Sequence, residues 1–317
     1  MKFRNIYSLP LACGALLVAA GMFFAQTTEQ QEEREDLAPH GKGIGTMYEP
    51  GRPGSHFGQK RAAGFARVTG NGINYHNGPV VTGTTNVYFI WYGTWATGSQ
   101  NILTAWANSI GGSPYFNINT TYYSGSTSKA YVSNSVAYKG MAMDSYSQGT
   151  TLSDASVQTV VSSAISSGKL PLDTNALYFV LTSADVNESS GFCTQYCGWH
   201  WYGTISGKNV KYSFIGNPTR CPSACAAQTT SSPNGDIGAD AMVSIMSHEL
   251  EETVTDPNGN AWYDSRGYEN GDKCAWNFGA TFTAPNGSKA NVTLAGAHYL
   301  IQQNWVNAGG GYCALKY

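Results

Sequence analysis

The chain has 317 residues, a formal net charge of −2 and 12% charged residues, about half the share of an average soluble protein. With 42% apolar and 13% aromatic residues it can build a large core, which excludes disorder over most of its length. The 18 basic residues against 20 acidic ones leave no electrostatic footprint for nucleic acid, and at ~150 residues per domain the length allows one large domain or two small ones.

Residues 1–25 read as an export signal, with Lys2 and Arg4 ahead of an almost wholly apolar run from Ile6 to Ala25. That run approaches the ~20 residues that span a bilayer. Phe23 is a poor residue for cleavage before Gln26, so the alternative to a released protein is an uncleaved signal anchor. Cys13 sits too early, and lacks the leucine three residues before it, for lipidation. No later stretch reads as a membrane span. Residues 26–77 read as a flexible tail or pro-segment, with a charge run over 29–36 and a Gly- and Pro-rich stretch over 41–58.

A single folded domain is expected over 78–317. Asn86 to Tyr92 is a buried-strand run, and Gln100 to Ile110 is helical, with Ile102, Leu103, Trp106 and Ile110 on one side. Ala130 to Val132 and Val136 to Tyr138 are short strands. Ser153 or Asp154 caps a helix through Ile165 that Gly168 ends, and Ala176 to Thr182 is the next strong strand. Val210 to Ile215 is a strand, a helix runs from Ala239 to Val254 and stops before Pro257, and His298 to Val306 is strand-like. The alternation predicts an α/β fold: a layered mixed sheet with flanking helices and a loop-rich, disulfide-braced C-terminal part.

Six cysteines follow the signal: Cys193, Cys197, Cys221, Cys225, Cys274 and Cys313. An even number in an exported chain predicts three disulfides. The competing reading is a zinc site from Cys193-x-x-x-Cys197 and Cys221-x-x-x-Cys225. Cys274–Cys313 is the first pairing expected, because the other four cluster together in sequence.

The informative segment runs from Ser247 to Pro257. On a helix, Ala241, Ile245, His248 and Glu252 share one stripe, so an apolar face ends in an imidazole and a carboxylate. A charge left uncompensated there costs several kcal/mol, and binding a cation resolves the conflict. His248 and Glu252 are one turn apart, the spacing by which helical ligands grip a metal, and the pattern imitates His-Glu-x-x-His with glutamate in place of the second histidine. Glu249 lies ~100° around the helix from His248, suited to act as a general base; Glu251 lies on the other flank, and helix geometry alone does not choose between them. The third ligand is expected from Asp272, with Glu269 and Asp256 as competitors. His200, flanked by aromatics, is a candidate fourth ligand or oxyanion donor against a packed structural role. Trp91 to Trp95 either lines a cleft or packs in the core, His298 reads as structural, and nothing in the spacing of Asp144, Asp154, Asp185 and Glu188 singles out a glycosidase pair.

Several motifs together resemble the EXORDIUM or phosphate-induced protein family of plant cell walls and bacterial relatives, of which this chain looks like a bacterial member. They are Gly78-Pro79-Val80-Val81, Asn86 to Trp95, Val180 to Val186, Phe192 to His200, Cys221-Pro222-Ser223-Ala224-Cys225, Ser247 to Glu252, Asn260-Ala261-Trp262-Tyr263 and Gly271-Asp272-Lys273-Cys274. The resemblance implies export and a role at the cell wall but no settled activity. Family members usually carry a small residue where Glu251 stands, which leaves Glu249 and Glu252 as the acids carried over. The His-Glu-Leu-x-Glu helix also looks like the zincin-like helix of metallopeptidases, a fold-level analogy.

The expectation is therefore a secreted, extracellular or periplasmic metal-dependent hydrolase acting on a peptide. His248, Glu252 and Asp272 would hold Zn²⁺, and Glu249 would be the base. So acidic a ligand set makes Mn²⁺ or Ca²⁺ a competitor. The alternative is a non-catalytic cell-wall or matrix protein that binds a polysaccharide polymer, and a glycoside hydrolase ranks last.

Overall fold

The computed structural model describes residues 70–317, so the export signal and the tail through residue 69, with Cys13, His40 and His56, lie outside the described residues. Its centre is a five-stranded sheet. In chain order the strands are β2 (Thr85–Tyr92), β3 (Val136–Asp144), β4 (Ala176–Thr182), β5 (Gly198–Ile205) and β6 (Lys208–Ile215); a short β1 (Asn74–Tyr75) precedes them and pairs with β7 (Trp262–Tyr263). The spatial order is β3-β2-β4-β6-β5. All neighbours run parallel except β5, which lies antiparallel to β6 at one edge. β4 is buried at every position and β2 at all but Asn86, as near-continuous apolar runs require when both faces of a parallel sheet are covered.

Three long helices supply the cover: α1 (Thr97–Ser109), α2 (Asp154–Ser166) and α3 (Ile237–Thr255). Trp106 of α1 meets the Phe179 ring at 6.2 Å and donates its indole N–H to Ser247 Oγ of α3 at 3.0 Å, so α1 and α3 share one face. Tyr212 reaches Gln158 of α2, and its register partner is Tyr178, which points opposite to Phe179. α2 therefore covers the other face. The Ser153 side chain caps α2 by accepting the Ser156 N–H, as expected.

Three disulfides brace the molecule: Cys193–Cys221, Cys197–Cys225 and Cys274–Cys313. The last is the pairing expected. The zinc–thiolate reading falls, because all four sulfurs it needs are bonded in pairs. Among the described residues, no helix is long and apolar enough to cross a membrane.

The structure differs from the sequence reading in several places. β5 was not anticipated as a strand; its side-chain alternation is masked by aromatic residues on both faces. The expected strand over 298–306 is broken into Ala297–Tyr299 and Asn304–Val306. Between them the N–H groups of Ile301, Gln302 and Gln303 go to the Asn291 side chain, Ser244 Oγ and the Asn277 carbonyl rather than to a ladder. Trp91 is fully buried with Trp95 packed edge-on at 4.9 Å, so this pair belongs to the core and not to a cleft. Tyr75 lies opposite Trp262, so paired structure begins ahead of Gly78.

Candidate metal centre

α3 starts on Asp236, whose side chain accepts the Ala239 N–H at 3.0 Å. It ends on Asp256, whose Oδ1 accepts the N–H groups of Asn260 and Ala261, both at 2.6 Å. Wedged between the sheet, α1 and the C-terminal loops, the helix is buried nearly all round, and Ser247, His248, Glu249, Glu251 and Glu252 are buried with it. Burying so many ionisable groups is costly unless they compensate one another.

His248 and Glu252 meet as the helical spacing predicts, with Nε2 2.9 Å from Oε1. The loop after β7 brings Asp272 Oδ1 to 3.6 Å from the same nitrogen, while the Asp272 N–H donates to Glu252 Oε1 at 3.0 Å. One donor atom from each of these residues lies within 4.8 Å of the others, an arrangement that could hold a metal ion. The loop approaches closely because residue 271 is glycine: a Cβ there would stand 2.9 Å from His248 Nδ1 and 3.0 Å from Glu252 Oε1. Cys274, in the same short 3-10 turn as Asp272, ties the loop to Cys313.

A second trio shares Glu252. His200 points from β5 toward α3, on the same sheet face as its register partner Ser213. Its Nδ1 lies 3.2 Å from Glu249 Oε2 and 3.5 Å from Glu252 Oε2, and its Nε2 lies 3.9 Å from Glu269 Oε1. These charges set one another's protonation. Burial alone would lower the pKa of His200, but Glu249 and Glu252 push it up to about 10. For His248 burial is likewise outweighed, by Glu252 and Asp272, and its pKa rises well above the ordinary value. Burial works against the charge of Glu252, yet His248 and His200 hold it down to about 2. Burial raises Glu249, an effect that its bond to His200 partly offsets.

The two acids that helix geometry left equivalent are separated here. Glu249 faces His200 and the cluster. Glu251 is fully buried on the other flank, where its charge bears on Tyr115 and Tyr122, and burial pushes its own pKa well up. Asp256 is taken up in the turn that ends α3. Glu269 lies beside His200 and donates its N–H to Asp272 Oδ2 at 3.2 Å.

His248 provides the test of fit. It is 3% exposed, and its Nε2, although close to two carboxylate oxygens, makes no aligned hydrogen bond. A buried ring nitrogen aimed between two acid oxygens suits a cation. Sequence reasoning missed Gln302, whose Nε2 lies 2.7 Å from His248 Nδ1 and donates to Gly271 O at 3.1 Å. Wedged between Nδ1 and the Gly271 carbonyl, the amide fixes the orientation of the imidazole ring. No motif marks a glutamine in this role.

Among the other carboxylates, Asp154 and Glu188 come together through Ser190 Oγ, with Tyr196 also donating to Glu188. His76 stacks on Tyr263 with ring centroids 3.6 Å apart, and His298 bonds Thr293 within its hairpin.

The family model described as "Phosphate-induced protein 1 conserved region" matches residues 73–302. Curated relatives include EXORDIUM-like 3 of Arabidopsis thaliana, 32% identical over 74% of this chain and 80% of the relative. EXORDIUM-like 5 of the same plant is 34% identical over 60% of this chain and 59% of its own length. PHOSPHATE-INDUCED 1 of Nicotiana tabacum is 28% identical over 60% of this chain and 67% of its own. No solved structure matches.

Proposed function

The chain belongs to the phosphate-induced protein 1 family, and from that premise we propose that it is an exported, metal-dependent hydrolase of peptide bonds, built in the zincin-like manner. The observation that carries this reading is the buried His248 Nε2 facing Glu252 and Asp272 without an aligned hydrogen bond. Export, to the cell wall or another extracellular space, is supported by the three disulfides and by the plant relatives.

His248, Glu252 and Asp272 would hold the ion, Zn²⁺ first and Mn²⁺ or Ca²⁺ as competitors given two carboxylates to one imidazole. When bound, the ion supplies Lewis acidity, polarising the scissile carbonyl and making an attacking water more acidic. Glu249 takes the proton of that water and passes it to the leaving amine; its buried setting raises its pKa toward the range useful for a base. His200, 3.2 Å from Glu249 Oε2, fixes that carboxylate. Gln302 orients His248.

The test is elemental analysis of protein purified without chelators, together with incubation on casein or a peptide library. One divalent ion per chain and cleavage that a chelator abolishes are expected. Protein without metal and without activity sinks the proposal, whereas metal without cleavage, joined to retention on a polysaccharide column, marks a binding protein of the wall or matrix.

A further inference from the structure

A cleft open to solvent runs along α3 and reaches His248 and Glu249. One wall is the helix stripe Ile237, Ala241 and Ile245, which leads to His248; across from it stand Trp276, Phe278 and Leu300. Phe278 and Leu300 form a small apolar cluster separate from the main core, with Trp276 packed against it. The third wall is the Cys197–Cys225 bridge and bare backbone at Gly198, where a Cβ would meet Ile245 Cγ2 at 2.6 Å.

Both acids on this lining are engaged within the protein, Glu249 with His200 at 3.2 Å and Asp240 with Asn234, whereas Trp276 Nε1 and His248 Nε2 make no hydrogen bond. Asp240, the acid in the lining farthest from His248, accepts the Asn234 N–H at 2.8 Å and the Asn234 amide at 2.6 Å. Gln302 is held between His248 and Gly271. A charged side chain entering the cavity would lose its hydration for an acid already engaged, while an apolar one would gain from burial. Ala241 lies about 10 Å along the helix from His248 at 1.5 Å per residue, enough depth for an aromatic side chain whose backbone stays at the reacting end.

We infer that this cavity receives a large apolar side chain, aromatic or long aliphatic, of the peptide residue next to the bond being cut. The inference rests on the hydrolase reading above and names the substrate class for the same site. Its small half-exposed wall residue, Ala241, sets the available depth.

The experiment uses zinc-loaded protein and three blocked amino-acid hydroxamates as ion-seeking probes, those of glycine, phenylalanine and lysine, with affinities read by calorimetry. The phenylalanine probe should bind about 10- to 100-fold more tightly than the glycine probe, the range expected for burying one aromatic side chain. Ala241→Phe should reduce that ratio to about threefold or less, while metal content, the glycine-probe affinity and the melting temperature stay as in the parent. Leu300→Ala should also lower the ratio, by enlarging the cavity and loosening its fit. Equal affinity for glycine and phenylalanine probes in metal-loaded protein, or a preference for lysine, overturns the inference and leaves the hydrolase reading standing. Failure to retain zinc or to bind any hydroxamate overturns both.

Discussion

His248 Nε2 stands 2.9 Å from Glu252 Oε1, one helical turn away, in a setting from which water is almost excluded. Burial would favour a neutral imidazole, yet Glu252 and Asp272 raise the pKa of His248 well above its ordinary value, which favours the protonated ring in the metal-free protein. An ion must displace that proton. Below the raised pKa, apparent zinc affinity should therefore strengthen about tenfold for each unit rise in pH. Competition titrations between pH 6 and pH 8 check this, and a flat profile would mean that His248 is not the ligand displaced.

On the proposed reading Glu249, 3.2 Å from His200, moves a proton and does not hold the ion. Glu249→Gln should keep the metal at the parent stoichiometry and lower turnover by about 10²- to 10⁴-fold. Its contact with His200 should persist through the amide oxygen. Unchanged hydrolysis by this variant, measured alongside its zinc content, would remove the proposed base.

Asp272 and Asp256 were rival ligands, and their surroundings predict opposite behaviour. Asp272→Ala removes an oxygen from the His248 nitrogen and should lose metal with little change in fold. Asp256→Ala removes an acceptor for two backbone N–H groups. It should cost about 1–3 kcal/mol of stability and leave metal content unchanged. Elemental analysis paired with thermal melts separates the two.

The Cys274–Cys313 bridge closes a segment of sequence separation 39. Replacing both cysteines with alanine should destabilise the protein by about 4 kcal/mol on the chain-entropy account. Because Asp272 shares the turn that the bridge secures, zinc affinity should fall as well, measured under conditions where the variant is still folded. Loss of stability with unaltered affinity would show that Asp272 is held by its hydrogen bonds alone.

Much of this was legible from residues whose surroundings are local. The Asn86–Tyr92 run and the Ala176–Thr182 run show their buried-strand character in composition. The His248–Glu252 pair follows from helical spacing, since α3 has the period that the sequence implies. What brings His200 to Glu249 is not local: β5 must lie antiparallel at the sheet edge before its His200 side chain faces α3, and the mixed aromatic pattern around His200 conceals that strand. Gln302 was hidden for the same reason, because its place depends on a break in a strand-like run, where Asn291, Ser244 and Asn277 capture the backbone donors. Helix geometry leaves Glu249 and Glu251 equivalent and only the family resemblance prefers Glu249; the different surroundings of the two come from packing, with Tyr115 and Tyr122 on the flank of Glu251.

Glu252 engages a different partner with each of its two oxygens: Oε1 faces His248 on its own helix, and Oε2 faces His200 on the outermost strand of the sheet. Among the described strands, none pairs with the free side of that strand. The edge of the sheet is thus tied to the buried helix through His200, which meets two carboxylates of α3, Glu249 and Glu252.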